Sequence, residues 1–209
     1  MRFIIFALLF LAIATTASAD GLPSLTFKLI EHSIVRVETH LRLEELFTGV
    51  PTMATCTGFV VRPNTVITDN HCIFPGEAAR VDGRPAIVIN DDKDHDLILL
   101  EVETKKPPVT FRTETLPDNA EIFALGYALG ADRPASTFHT VLWQHFSPSE
   151  SQLPPGLWVR GQMFEGMSGS PIFDRAGHVV GIAQNSNTGL SYGEDLEHID
   201  ALLHGHLLK

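Results

Sequence analysis

The stretch Phe164-Glu165-Gly166-Met167-Ser168-Gly169-Ser170-Pro171-Ile172-Phe173 interrupts apolar sequence with a turn of small residues that presents a hydroxyl group. A Gly-x-Ser-Gly turn can direct two successive backbone N–H groups at the point where the serine oxygen also lies, which is the geometry of a nucleophile beside an oxyanion hole. Ser168 is therefore a candidate nucleophile. Ser and Gly are also common in surface turns, so an ordinary surface loop remains an alternative interpretation of this turn.

Composition places the chain among ordinary globular proteins. It has 209 residues, 44% of them hydrophobic, which is enough to bury a core in one domain or two compact halves. The formal net charge is −10. An acidic surface argues against nucleic acid or anionic lipid as a partner.

The N-terminal residues predict a signal peptide over 1–19. Arg2 precedes the apolar run 3–14, and Ala17-Ser18-Ala19 supplies a small-x-small cleavage pattern, so the mature chain is expected to begin at Asp20. A membrane anchor is the alternative, but the run is shorter than the roughly 20 residues a spanning helix needs. We expect a secreted or periplasmic protein without stable membrane association after cleavage.

The two cysteines, Cys56 and Cys72, favour a disulfide, because an exported chain reaches an oxidising compartment. The bond would join the β-rich run that carries Cys56 to the turn that carries His71. A pair of buried free thiols is the alternative.

Short β-rich runs recur along the chain, and Pro, Gly, Asp and Asn separate them. This spacing without helical periodicity predicts an all-β sandwich or a pair of barrels. The runs are 33–38, 55–61, 65–68, 86–89, 97–102, 122–125, 140–143, 157–159, 171–173 and 178–182. Segment 105–119 is expected to connect two halves, whereas 20–32 has no clear pattern.

One helix is predicted at the C-terminus. Ser191 and Glu194 have the spacing of a capping box, and acidic residues occupy the first turn. Its apolar face consists of Leu196, Ile199 and Leu203. Three histidines here lack a defined second ligand site and are expected to face solvent: His198, His204 and His206.

His71 ends a β-rich run, and Asp96 directly precedes an almost wholly apolar one. A carboxylate drawn toward the interior needs a partner, and an imidazole N–H is suitable. A solvated acidic turn is one alternative. A calcium loop over Asp92, Asp94 and Asp96 is another, but the sequence lacks the glycine and closing glutamate of the common loop.

These segments follow one another in a set order: Cys56-Thr57-Gly58, Thr68-Asp69-Asn70-His71-Cys72, Asp96-Leu97-Ile98-Leu99-Leu100, Gly166-Met167-Ser168-Gly169-Ser170-Pro171 and Val179-Val180-Gly181-Ile182. The series resembles the chymotrypsin-like serine peptidases, including the bacterial high-temperature-requirement proteases and glutamyl endopeptidases. The resemblance covers about 33–183. The order His, Asp, Ser is that of chymotrypsin.

The resemblance implies two six-stranded antiparallel β-barrels and a C-terminal α-helix. The expected divisions are an N-terminal barrel over 20–108, a C-terminal barrel over 109–190 and the helix over 191–209. His71 and Asp96 would come from the first barrel and Ser168 from the second, so the site would lie in the cleft between them.

The resemblance also implies a mechanism. Ser168 would attack a peptide carbonyl, His71 would take and return the proton, and Asp96 would orient the imidazole. The N–H groups of Gly166 and Ser168 would form the oxyanion hole. The protein would be a serine endopeptidase acting on proteins or peptides, with no cofactor and no metal.

Met167 departs from the family pattern, because animal digestive members carry an aspartate there that pairs with a newly cut N-terminus. We therefore expect no such zymogen switch. By the layout of the family that the chain resembles, Gln162 would lie near the floor of the specificity pocket, and one wall would be formed by Ala183, Gln184, Asn185 and Ser186. A neutral pocket for small or apolar side chains follows.

Two other functions remain to be weighed. A binding protein that kept the peptidase fold without turnover is the alternative to an active enzyme. An α/β-hydrolase esterase fits poorly, since its elbow needs Gly-x-Ser-x-Gly between a strand and a helix, whereas this turn ends in Ser170-Pro171.

Overall fold

The structure is a computed structural model that describes residues 24–49, 52–146, 156–187 and 189–207. The predicted signal peptide, 1–19, lies outside the described residues. Within these residues, none of the helices has the length and apolar character needed to cross a membrane.

Within the described part of the chain, twelve strands form two closed antiparallel barrels, which confirms the predicted fold. The first barrel contains β1 (Ile34–His40), β2 (Met53–Arg62), β3 (Thr65–Asp69), β4 (Ala79–Val81), β5 (Arg84–Asp92) and β6 (Leu97–Glu101). The second contains β7 (Glu121–Gly126), β8 (Ala135–Phe146), β9 (Gly156–Arg160), β10 (Pro171–Asp174), β11 (Val179–Asn187) and β12 (Leu190–Asp195). Strand order is β1-β2-β3-β6-β5-β4 in the first and β7-β8-β9-β12-β11-β10 in the second.

In the first barrel, strands β2, β3 and β6 are largely buried on both faces because each face packs against a different apolar cluster. Successive side chains of a strand point to opposite sides. Thus Phe59 and Ile67 belong to a cluster that joins the two barrels, whereas the adjacent Val60 and Val66 belong to a cluster within the first barrel. A third cluster, around Ile172, lies within the second barrel. The shared cluster fixes the two barrels against each other.

The segment between the barrels runs from 102 to 120 and contacts both of them. The Val109 N–H donates to the Val60 oxygen at 2.9 Å, and the Arg112 N–H donates to the Val179 oxygen at 2.9 Å. The predicted division between 108 and 109 falls inside this segment.

Two helices precede or interrupt the first barrel. Helix α1 (Ser24–Glu31) lies in the stretch whose pattern was unclear, and α2 (Arg42–Thr48) lies between β1 and β2. A left-handed Gly49, with φ of 69°, ends α2. The sequence analysis predicted neither helix, nor the short strand β4.

The predicted start of the C-terminal helix was wrong. Helix α3 (Leu196–Leu207) begins five residues later than expected, because 190–195 form β12 between β9 and β11. Ser191 therefore lies in a strand of the second barrel, and its hydroxyl donates to the Gly161 oxygen at 2.8 Å. Asp195 begins the helix instead, since its Oδ1 accepts the Glu197 N–H at 3.1 Å.

Helix α3 returns to the first barrel. The Arg62 guanidinium donates to the Leu203 oxygen at 3.0 Å, and the Asn90 amide donates to the Leu202 oxygen at 3.3 Å. Both bonds go to carbonyl groups in the C-terminal half of α3, so they hold this part of the helix against β2 and β5.

Candidate active site

His71 and Asp96 meet at the edge of the first barrel. His71 lies in a 3₁₀ turn (Asn70–Cys72) directly after β3, and Asp96 directly precedes β6, which pairs with β3. The His71 Nδ1 lies 2.6 Å from Asp96 Oδ2, and the His71 backbone N–H donates to Asp96 Oδ1 at 2.8 Å. One carboxylate therefore fixes both the ring and the backbone of the histidine.

The backbone at Asp96 adopts a left-handed conformation, with φ of 54°. Aspartate tolerates this region better than most residues. The Asp96 carbonyl oxygen accepts the Asn70 N–H at 2.9 Å, so the two turns are joined by backbone as well as side-chain bonds. The sequence indicated the pair but not this local geometry.

Gln184 holds the same turn from the second barrel. Its side-chain amide donates to the His95 oxygen at 2.5 Å and lies 3.5 Å from the Asp96 oxygen. The sequence analysis assigned Gln184 to the pocket wall only. Its contact with the Asp96 turn was missed, because 88 positions separate the two residues and no local pattern links them.

The serine turn is held by its own backbone and by two left-handed glycines, Gly166 and Gly169, with φ of 86° and 79°. A Cβ on Gly166 would collide with the Tyr127 oxygen, and one on Gly169 would collide with the Thr57 oxygen. The Ser170 N–H donates to the Met167 oxygen at 2.9 Å, which closes the turn around Ser168. Glycine is therefore required at both positions.

Thr57, a fully buried residue of β2, ties the serine turn to the first barrel. Its N–H donates to the Ser168 oxygen at 2.9 Å, and its hydroxyl donates to the Gly166 oxygen at 2.7 Å. The hydroxyl also accepts the Tyr127 N–H at 2.8 Å. Sequence reasoning used Thr57 only as part of a motif, since nothing local showed what its hydroxyl binds.

A disulfide joins Cys56 of β2 to Cys72, the neighbour of His71. The Cys72 sulfur lies 3.9 Å from the Ser168 oxygen, so the histidine turn and the serine turn are in contact. The Ser168 hydroxyl donates to the Gln184 carbonyl oxygen over a long 3.5 Å. Among the described residues it makes no hydrogen bond to His71.

The loop before the candidate oxyanion hole is also fixed. The Leu129 N–H donates to the Glu165 oxygen at 2.6 Å, and Leu129 has an unusual φ of 54° for a leucine. The Glu165–Gly166 peptide is planar and trans, so holding its carbonyl on one side directs the Gly166 N–H to the other side. Sequence reasoning missed Leu129.

A cavity of about 610 Å³ opens beside Ser168. Four of the predicted pocket residues contribute to its lining: Gln162, Ala183, Gln184 and Ser186. The side chain of the fifth, Asn185, lies outside the described residues. The remaining lining residues are Leu129, Met163, Phe164, Glu165 and Met167, together with Ser168 itself. Exposed Glu165 adds a carboxylate that the expectation of a neutral pocket did not include.

Behind the Asp96 turn lies a cluster of histidines and acids. The His95 ring stacks on His198 with 3.5 Å between ring centroids, so the expectation that His198 faces solvent was wrong. Burial lowers the pKa of His198, but its hydrogen bond to Glu194 and the negative charges of nearby acidic residues together outweigh burial, so the pKa is raised. Burial likewise opposes the charge of Asp92, yet hydrogen bonds from His95 hold the Asp92 pKa below its ordinary value.

Three groups of described residues have donor atoms close enough to hold a metal ion: Cys56 with His71 and Cys72, Asp69 with His71 and Asp96, and Glu194 with Asp195 and His198. The two sulfurs of the first are in the disulfide. In the other two, His71 and His198 already bond to carboxylates.

The arrangement has the parts needed for acyl transfer. Because a carboxylate only accepts hydrogen bonds, the contact with Asp96 Oδ2 requires the proton of neutral His71 to lie on Nδ1. Its Nε2 then carries a lone pair that can accept a proton. A hydroxyl, a positioned base and backbone donors at a glycine turn are the groups that such a reaction uses.

Comparison with known proteins gives a consistent result. A family model described as a trypsin-like peptidase domain matches residues 56–182, which include His71, Asp96 and Ser168. The serine proteases Rv3671c and MT3772 of Mycobacterium tuberculosis are each 27% identical over 137 residues, or 60% of this chain and 34% of the relative. The match therefore spans about a third of the length of these curated relatives.

Solved structures show the same architecture. The active form of Rv3671c protease from Mycobacterium tuberculosis has a TM-score of 0.72 at 21% identity, covering 86% of this chain and 82% of that chain. Its inactive form has a TM-score of 0.67 at 22% identity, covering 86% and 91%. These likenesses support the two-barrel fold. They do not distinguish between the bacterial branches named above.

Proposed function

Because the chain belongs to the trypsin-like peptidase domain family, we propose that it is a serine endopeptidase with Ser168 as nucleophile, His71 as general base and Asp96 as orienting carboxylate. The observation that carries the proposal is the double hydrogen bond from His71 to Asp96, at 2.6 and 2.8 Å. An imidazole held in this way is set in one tautomer and one orientation.

In the proposed reaction, the Ser168 oxygen attacks the carbonyl carbon of a peptide bond while His71 Nε2 takes its proton. His71 then gives that proton to the leaving amine, and water repeats the sequence to release the acyl group. The N–H groups of Gly166 and Ser168 bind the developing oxyanion, and loss of one such donor typically costs about 10²- to 10³-fold in kcat.

The hydroxyl of Ser168 is compatible with this role although it does not bond to His71 here. Its contact with the Gln184 oxygen is weak at 3.5 Å, so rotation toward His71 costs little. Catalytic hydrogen bonds are often long before substrate binds. Apart from the exposed Glu165, the described residues that line the cavity beside Ser168 are uncharged, which supports small or apolar side chains at the cleaved residue.

We further propose that the protein is exported. The 1–19 segment has the pattern of a signal peptide. The disulfide supports the same conclusion, since such bonds persist in oxidising compartments.

Labelling with a fluorophosphonate probe tests the proposed activity. We expect the protein to be labelled and both Ser168→Ala and His71→Ala to abolish labelling, because the probe reacts only with an activated serine. Ser136→Ala and His204→Ala are matched controls outside the site and should label normally. A folded protein that fails to label contradicts the proposal and favours the binding protein that kept this fold.

A further inference from the structure

Asp69 is a buried carboxyl group that the proposed reaction does not use. It ends β3, two residues before His71, and has no exposed surface. Neither of its carboxyl oxygens has a hydrogen-bond partner among the described residues. A charged carboxylate in such a place would carry a large desolvation cost with nothing to offset it.

The neighbours of Asp69 are mostly acidic. A carboxyl oxygen of Asp69, a ring nitrogen of His71 and a carboxyl oxygen of Asp96 all lie within 4.8 Å of one another. Glu194 of β12 adds negative charge from the second barrel, and the Tyr192 phenol lies within the field of Asp69. The nearby Gly169 N–H favours the ionised form but is donated to the Ala183 oxygen at 2.8 Å.

A carboxylate at this distance disfavours the charged form of a buried neighbouring carboxyl group. Asp96 is partly exposed and accepts two hydrogen bonds from His71, which favour its charged form. Asp69 has neither advantage. Burial, followed by the charge of Asp96, raises the pKa of Asp69 well above its ordinary value of 3.8. The shared proton therefore belongs on Asp69.

We propose that Asp69 is a positioning residue of the active site, a protonated and therefore uncharged carboxyl group that lies against the His71–Asp96 pair. The proposal rests on the proposed function. Asp69 would then be a third polar neighbour of Asp96, besides His71 and the Gln184 amide near the Asp96 backbone. Because Asp69 is uncharged, it adds no second negative charge beside His71.

A proton explains this geometry better than a metal ion does. Asp69 has no surface through which a hydrated cation could approach. A cation would also displace the 2.6 Å contact between His71 and Asp96. A proton needs neither an opening nor a change of partners.

Two substitutions separate the proposed role from simple packing. Asp69→Asn keeps the shape of the side chain but cannot ionise, whereas Asp69→Ala removes the carboxyl group. Asp118→Asn, at an exposed turn of the connecting segment, is the matched control. The unfolding midpoint and the fluorophosphonate labelling rate of each full-length protein are measured from pH 4 to pH 9.

The proposal predicts the direction in which stability changes with pH. Because the folded state keeps the Asp69 proton to higher pH than the unfolded state, wild type loses stability as pH rises above the ordinary Asp pKa. The midpoint of Asp69→Asn minus that of wild type should therefore increase by several degrees between pH 4 and neutral pH. The difference for Asp118→Asn should stay flat. A flat difference for Asp69→Asn overturns the proposal.

The labelling rates test the positioning role. At neutral pH we expect Asp69→Asn to label within about twofold of wild type and Asp69→Ala to label about tenfold more slowly, because alanine leaves the space beside the His71–Asp96 pair unfilled. As the pH rises and Asp69 ionises, the labelling rate of wild type should decline, whereas the labelling rate of Asp69→Asn should not. Equal rates for wild type and Asp69→Ala overturn the role of Asp69 but leave the peptidase intact. Absence of labelling in wild type at every pH overturns the proposed function itself.

Discussion

The two turns that meet at the candidate active site are secured by different chemistry. The histidine turn of the first barrel is held by side chains, through the His71–Asp96 hydrogen bonds and the Cys56–Cys72 disulfide. The serine turn of the second barrel is held by backbone hydrogen bonds and by left-handed glycines that exclude a Cβ. The histidine turn should therefore be disrupted by substitutions that remove side-chain bonds, and the serine turn by substitutions that add a Cβ at its glycines.

Thr57 of β2 joins the serine turn to the first barrel. It belongs to the first barrel, yet its backbone and hydroxyl bind Ser168, Gly166 and Tyr127 of the second. A residue of one barrel thus completes the turn of the other. The three predictions below test this division, from the largest expected effect to the smallest.

Gly169→Ala should cause the largest loss. The new Cβ would collide with the Thr57 oxygen and the Thr68 hydroxyl, and φ of 79° is unfavourable for alanine. We expect the labelling rate to fall at least about 100-fold, comparable to loss of an oxyanion donor. The measurement is the rate of fluorophosphonate labelling of the folded variant.

Gly205→Ala is the control for this prediction. Gly205 lies in α3, where an added Cβ meets nothing within 4 Å. We expect unchanged labelling and slightly higher stability, as for alanine in a helix. If Gly169→Ala labels as fast as Gly205→Ala, the serine turn is not fixed by exclusion of a Cβ.

Removal of the disulfide should have the next largest effect, and mainly on stability. With Cys56→Ala and Cys72→Ala together, the unfolded chain is no longer constrained across a separation of 16 residues. In the loop-entropy model, the free energy of unfolding falls by about 3 kcal/mol. Denaturant unfolding measures this, and labelling below the unfolding transition should change little because the His71–Asp96 bonds do not involve sulfur.

A reductant provides the matched control for the disulfide. It should destabilise wild type by a similar amount and leave the double variant unchanged. A large loss of labelling in the folded double variant would show that the histidine turn depends on the disulfide for its geometry as well as for its stability.

Thr57→Val should have the smallest effect of the three. Valine matches the shape of threonine but leaves the Gly166 oxygen and the Tyr127 N–H without their partner. We expect a loss of about 1–3 kcal/mol in the free energy of unfolding, together with slower labelling because the Gly166 peptide is less fixed. Urea unfolding and labelling rates measure the two effects.

Thr65→Val is the control for Thr57→Val. The Thr65 hydroxyl, at the start of β3, makes one long contact of 3.5 Å with the Pro63 oxygen, so the substitution should change stability little. If the two valine variants behave alike, Thr57 does not join the serine turn to the first barrel in the way that its contacts indicate.

Secondary structure was predicted correctly from the sequence where the local pattern and the tertiary environment favour the same element. Runs such as 97–102 and 171–173 became strands because their β-rich sequence is also buried in the barrels. The capping-box interpretation of Ser191 and Glu194 failed, because pairing of 190–195 with β9 and β11 overrides a local helix signal. Spacing alone cannot show whether a backbone will find partners in a sheet or in a helix.

The sequence by itself determined the strand periodicity, the turn of small residues around Ser168, and the order in which His71, Asp96 and Ser168 occur. These are local properties, set by side-chain type and by the need for glycine at positive φ. The tertiary structure alone decided that Asp69 lies buried beside His71 and that the Gln184 amide reaches the Asp96 turn. Burial and hydrogen-bond partners depend on residues far apart in the chain, which only the closing of the two barrels brings together.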